Sequence, residues 1–239
     1  MQAQILGSYI AGLTYADLPE AVVHAAKRCL LDYLAATLPG GLEPPALALQ
    51  VALNDDLNHG NASLIPSAIA ATPRTAALIN GVAAHTLEVD DIFRDGIYHP
   101  GPPVISAAIA ALQAVGGSGA DLITGIVAGY EVSNRIAAAV QPAHYDYWHT
   151  TGTVGAFGAA AAAAKILGLS ALQAKHAIAN AATMAAALQQ AFRSDAMSKP
   201  LHAGRAAETG VLCAQMAAAG VTGADNMLEG ERGFGNAMS

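Results

Sequence analysis

Three polar clusters break an otherwise apolar chain, and each carries residues able to move protons or bind anions. The first holds His85, Glu88, Asp90, Asp91, Asp95 and His99. Carboxylates beside imidazoles suit acid–base chemistry or metal ligation. The periodicity before them predicts a helix ending near Asp91, and acids at a helix C-terminus oppose the macrodipole, so their presence wants a reason. Metal ligation by Asp90, Asp91 and His99 is one reason, and a solvated acidic turn is another. No H-E-x-x-H or other regular ligand spacing supports the metal, so no metal is assigned. The second cluster runs from His144 to Gly152, with His149 just before a helix start at Thr150 to Gly155. Free backbone N–H groups there would favour a bound anion, although a hydrogen-bonded structural histidine fits the same position. The third contains Arg193, Ser194, Asp195, Met197, Ser198, Lys199 and His202. Lys199, His202 and Arg205 follow a three-residue spacing that reads either as a carboxylate clamp or as surface pairing with Glu208 or Asp195.

The elements that must position these clusters are helical. Hydrophobic residues make up 54% of the 239 positions and charged residues 12%, which excludes disorder. Much of the apolar content is alanine, whose small side chain lets helices approach closely. So few charges leave apolar surface exposed, pointing to an oligomer interface. The formal net charge of −7, without basic runs, argues against nucleic acid and anionic membranes. An anionic substrate must therefore be attracted locally. Cys29 and Cys213 read as buried free thiols, in keeping with a reducing cytoplasm. Nowhere do 18 apolar residues run uninterrupted, and the first residues lack a basic n-region, so a cytoplasmic protein without membrane spans is expected.

Periodicity predicts a helix from Pro19 to Leu38, capped by Asp17 or a neighbour, with Val22, Ala26, Cys29, Leu30, Tyr33 and Leu34 on one face. Pro39 to Pro45 reads as a loop, and Asn54 to Pro73 as a short hairpin or extended piece. Phe93 to Pro103 reads as a loop because of its glycines and prolines. Helical spacing returns from Val104 onward, with Ser170 as an N-cap. GSGADLITG fits a helix-capping turn better than a dinucleotide fingerprint, and no Walker motif, G-x-S-x-G elbow or CxxC pair occurs. The expectation is one all-α multi-helix bundle over residues 1–239.

HTLEVDDIF followed by HPGPPVISAAIAA, then GYEVSNRIAAAV, HTTGTVGAFGAAAAAAKILGL and KPLHAGRAAETGVLCAQMAAAGVTG, ending in LEGERGF, together resemble the MmgE/PrpD family. That family includes 2-methylcitrate dehydratase, cis-aconitate decarboxylase and iminodisuccinate epimerase. The resemblance implies its large helical domain, with the smaller α+β domain absent from this chain. It implies a lyase or isomerase acting on a small di- or tricarboxylic acid, a homodimer formed through the helical domain, and no cofactor. It carries over His99 from the His-Pro motif, His149 from His-x-Thr-Gly and Lys199 from Lys-x-x-x-x-Gly. Glu88 and Asp91 would act as base or orient a histidine, and Ile92, Thr151, His202 and Arg205 would contact substrate. Two departures weigh against cis-aconitate decarboxylation. Glu88 is one methylene longer than the aspartate usual there, and Ile92 lacks a hydroxyl. Dehydration or hydration is therefore expected first and epimerisation second. The alternative is a non-catalytic polycarboxylate-binding protein, or one subunit of a split enzyme with a separately encoded α+β partner.

Overall fold

A computed structural model describes residues 1–239. Eleven α-helices and one small ribbon follow in chain order: α1 (Gln2–Gly12), α2 (Glu20–Gly40), α3 (Pro44–Ala52), β1 (Leu57–Ser63), β2 (Ala70–Ala71), α4 (Pro73–Thr86), α5 (Gly101–Val115), α6 (Gly119–Val140), α7 (Thr150–Thr153), α8 (Gly155–Ile166), α9 (Ala171–Met184), α10 (Ser198–Ala218) and α11 (Phe234–Met238). The strands pair antiparallel, with Ser63 opposite Ala70, as the hairpin expected between residues 54 and 73. The rest matches an all-α bundle.

Alanine and glycine decide how this bundle packs. Every residue of α8 from Gly155 to Ala164 is buried, and α1, α5, α6, α7, α9 and α10 all lie against it. A helix apolar on all sides belongs in a core, and α8 has no polar face to offer solvent. A Cβ added to Gly210 on α10 would lie 2.3 Å from the Ala159 side chain, so those backbones nearly touch. Gly81 of α4 abuts Gly204 of α10 in the same way: its Cβ would meet the Gly204 Cα at 2.8 Å. This α4–α10 contact matters for function, because the polar clusters hang from the ends of those two helices.

Several boundaries differ from the sequence reading. The helix expected to reach Asp91 stops at Thr86, and Glu88 then turns with a left-handed φ of 57°. The acids at 88, 90 and 91 thus lie beyond the helix, and the conflict with the macrodipole disappears. Pro39 falls inside the last turn of α2 and Pro44 opens α3, so the expected loop shrinks to residues 41–43. Gly101, Pro102 and Pro103 form the first turn of α5 instead of loop, where a missing N–H is harmless. Asp17 caps a separate short turn through Thr14, while Pro19 precedes α2. The Val23, Ala26 and Tyr33 side of α2 is the buried one, and Val22, Cys29, Leu30 and Leu34 pack at its edge. Ser170 caps α9 through Gln173, and Ser118 with Asp121 caps α6, both as expected. Cys213 is buried and Cys29 half-buried, and both thiols are free. No helix is long and apolar enough to cross a membrane.

Candidate active site

Four histidines meet where α4 ends, α5 and α7 begin, and α10 passes. His85 is the penultimate residue of α4, His99 precedes α5, His149 precedes α7, and His202 lies on the second turn of α10. The His85 ring sits 5.0 Å from that of His99 and 5.6 Å from that of His149, nearly parallel to the latter. His149 Nδ1 is 3.1 Å from His202 Nδ1, so one ring donates and the other must be a neutral acceptor. Phe192 packs its edge against His149 and lies under the Lys199 ammonium, 5.0 Å from the ring centre. Lys199 in turn forms an ion pair with Glu88.

One buried carboxylate serves this cluster. Asp90 Oδ2 lies 2.8 Å from His85 Nδ1 and 3.2 Å from His99 Nδ1. Burial alone would raise its pKa, but the hydrogen bonds and charges of His85 and His99 outweigh that and hold it well below the usual carboxylate range. Burial works against a charge on His99 too, yet Asp90, Asp91 and Glu88 overcome it and raise its pKa. His149 is pushed the other way, first by burial and then by the neighbouring basic groups His85, His202 and Lys199, beside which a further positive charge is disfavoured. His202 is lowered to about 4, mainly by burial. The site therefore pairs a histidine that holds its proton with two that shed theirs.

His85, Asp90 and His99 have donor atoms within 4.8 Å of one another, a set able by type to hold a metal ion. The spacing between His85 and Asp90 favours a proton instead. Two ligands about 2.0–2.1 Å from a tetrahedral ion stand roughly 3.3 Å apart. The 2.8 Å between His85 and Asp90 is hydrogen-bond length.

The sequence candidates divide. His99, His149, Lys199, Glu88 and His202 come together. Thr151 is buried among them, but its hydroxyl accepts the His99 backbone N–H, so it shapes the loop. Asp91 is turned away from the histidines. Its carboxylate accepts from Gly101 N at 2.9 Å and Tyr130 Oη at 2.8 Å, while its own N–H donates to Asp32. Burial raises it to about 6 despite those hydrogen bonds. Ile92 lies 56% exposed. Arg205 leaves the clamp altogether: its guanidinium is on the surface, paired with Glu208. Three-residue steps rotate around a helix by about 60° each, so position 205 lies roughly 120° from position 199. The N-terminus expected to favour an anion at Thr150 belongs to a helix of one turn, α7. From sequence, Asp90 entered only with the unassigned metal reading, and His85 and Phe192 were given no role. Asp90 and His85 were visible as a His-x4-Asp pair across a helix end; Phe192 had no signal. A cavity of about 660 Å³ lies elsewhere, between α1, α6 and the C-terminal segment, and includes none of these residues.

The chain matches the MmgE/PrpD N-terminal domain over residues 4–239. It is 33% identical to human cis-aconitate decarboxylase, covering 95% of this chain and 48% of that protein. It is 30% identical to a cis-aconitate decarboxylase-like protein, oryM, of Aspergillus oryzae, covering 98% of the chain and 50% of the relative. Mouse cis-aconitate decarboxylase is 31% identical over 95% of the chain and 47% of its own length. The chain thus spans about half the length of the curated relatives it matches. On this match and the helical architecture together, the chain belongs to the MmgE/PrpD family and corresponds to its N-terminal domain.

Proposed function

We propose that this chain forms the proton-handling and carboxylate-binding face of a lyase acting on a small tricarboxylic acid. The observation that carries this reading is the meeting of Lys199, His149 and His202 with the Asp90–His99 pair, in a family whose relatives above are named for cis-aconitate decarboxylation. Those names shift the weight toward decarboxylation, which the sequence reading had placed behind dehydration on the strength of Glu88 and Ile92. Epimerisation next to a carboxylate has no named relative here to support it.

The chemistry follows from charge. Loss of CO2, or of a proton next to a carboxylate, leaves an electron pair that the remaining carboxylate must absorb. A lysine aimed at those oxygens stabilises that charge as it develops. Lys199 fits, because its resident partner Glu88 is 47% exposed and such pairs contribute little, so a substrate carboxylate displaces it readily. His149 and His202 are neutral in the free site, and whichever ring accepts in the Nδ1–Nδ1 hydrogen bond carries its N–H on Nε2 and donates it to a further carboxylate oxygen. His99 exchanges the proton at carbon, since its raised pKa keeps a proton available near neutrality. No organic or metal cofactor is invoked.

The test is incubation of the purified chain with cis-aconitate and with citrate-type hydroxy acids, following CO2 release and double-bond absorbance separately. CO2 release that disappears in His149→Ala and Lys199→Ala supports decarboxylation, and absorbance change without CO2 supports dehydration. Thermal stabilisation by these acids without turnover favours the binding or split-enzyme reading. The absence of both turnover and stabilisation sinks the assignment.

A further inference from the structure

Asp90 touches two rings with one oxygen, and that oxygen's chemistry constrains both. A carboxylate oxygen repels the lone pair of an unprotonated ring nitrogen and attracts an N–H. Both Nδ1 atoms facing Asp90 Oδ2, at 2.8 Å from His85 and 3.2 Å from His99, are therefore best as N–H. Resting on the lyase reading above, we propose that Asp90 is a positioning residue that fixes His85 and His99 as Nδ1–H tautomers, so that Nε2 of His99 is the atom exchanging a proton with substrate carbon.

Burial supports the same orientation. The His99 Nδ1 atom is shielded from solvent and has no hydrogen-bond partner of good geometry, its nearest acceptor being Asp90 Oδ2 at 3.2 Å, yet the side chain as a whole is 21% exposed. The accessible edge of the ring is thus the one carrying Nε2. His85 is wholly buried and its Nε2 has no partner, so it does not reach a substrate; it holds Asp90 from below and stacks on His149. The carboxylate is held from the side as well. Its neighbour Asp91 is tied to Asp32, Gly101 and Tyr130, which leaves the Asp90 backbone little freedom.

The proton step balances on this arrangement. In dehydration the Nε2 lone pair of neutral His99 takes the hydrogen. The C–H bond breaks, its electron pair passes into the adjacent carboxylate, and an N–H bond forms. Asp90 faces the resulting imidazolium, and the proton then leaves with the departing hydroxyl as water. In decarboxylation the C–C bond breaks first, CO2 leaves, and the electron pair left on carbon takes the Nε2 proton. Solvent water then reprotonates the ring. The charged and titratable groups around His99 are Asp90, Asp91 and Glu88 on its own loop, His85 on α4, and His149 before α7.

Histidine-selective ¹⁵N labelling of the ligand-free chain tests this directly, with His99→Gln assigning the signal. Above the His99 titration, both His85 and His99 should show a protonated Nδ1 and an unprotonated Nε2. In Asp90→Asn the His99 midpoint should fall, and kcat should drop at least tenfold with KM little changed. Nε2–H tautomers at both rings of the wild-type protein overturn the proposal without any variant having to fold. An unmoved midpoint in a folded Asp90→Asn overturns it as well. The expected tautomers in a protein that neither binds nor turns over these acids would strike the lyase reading and leave the positioning of His99 standing.

Discussion

Gly204→Ala should loosen the bundle and the site together. A Cβ at Gly204 would lie 2.2 Å from the Leu78 carbonyl oxygen and 2.6 Å from Val82 Cγ2, where ordinary contacts begin near 3.4 Å. The carbonyl oxygen belongs to α4 backbone and cannot rotate aside as a side chain would. The helices must part by roughly 1 Å, an overpacking strain of about 2–3 kcal/mol. For a chain of this length that lowers Tm by roughly 4–12 °C. Because α4 ends in His85 and α10 carries Lys199 and His202, the same displacement should weaken the Lys199–Glu88 and His149–His202 contacts. Thermal unfolding followed by circular dichroism gives the first reading, and the affinity for a tricarboxylate by calorimetry gives the second. Gly12→Ala is the control, since nothing lies within 4 Å of its Cβ, and it should leave Tm unchanged or slightly raised. A Gly204→Ala protein melting within about 1 °C of wild type would refute the claim that this contact sets the helix spacing.

Other expectations concern charge and assembly. Glu88→Gln frees Lys199 from its exposed partner, and tricarboxylate binding should tighten by up to about fivefold; Lys199→Met should weaken it in the same titration. Weaker binding in Glu88→Gln would mean that Glu88 serves the ligand and does not compete with it. Asp91 is raised to about 6 from 3.8, so the fold favours its protonated form, and its contribution to stability is lost as pH rises through about 6. Asp91→Asn should therefore stabilise the protein at pH 8, by at most about 3 kcal/mol in urea titrations, and a loss there would contradict the sign. His149 and Asp90 carry the opposite sign. Their lowered pKa values contribute stability that is fully present above their unfolded values, near ~6.5 and ~3.9, and lost as pH falls below each. Tm should thus decline on acidification from pH 7, with Asp91 offsetting part of the loss between about 6 and 4, and His149→Gln should flatten the first part of that decline. Leu31 and Val51, on α2 and α3, are 70% and 80% exposed. If they serve the homodimer implied by the resemblance, Leu31→Glu with Val51→Glu should shift the sedimentation mass from dimer to monomer; a mass that does not change removes that face.

Much of the fold was legible because it rests on local rules. Alanine-rich periodicity, the Ser170 and Ser118 caps, and the hairpin between residues 54 and 73 depend on neighbours within a few positions. The ordered motifs likewise marked His99, His149 and Lys199. Boundaries were less legible where proline and glycine occur. Those residues are permitted both in loops and in the terminal turns of helices, and only packing chose the turns at Pro39 and Gly101.

The roles of the acids could not be read from spacing. Glu88, Asp90 and Asp91 sit within four positions, yet one pairs with Lys199, one grips two histidines and one is buried against Tyr130. The left-handed turn at Glu88 and the partners supplied by α2, α5, α6 and α10 separate them. The sequence determined a helical MmgE/PrpD domain with histidines and a lysine at its polar breaks. Only the tertiary structure decided that Asp90 serves those histidines and that Arg205 does not join them. Side-chain direction beyond a helix end is set by what other elements bring against it, through contacts between residues far apart in the chain.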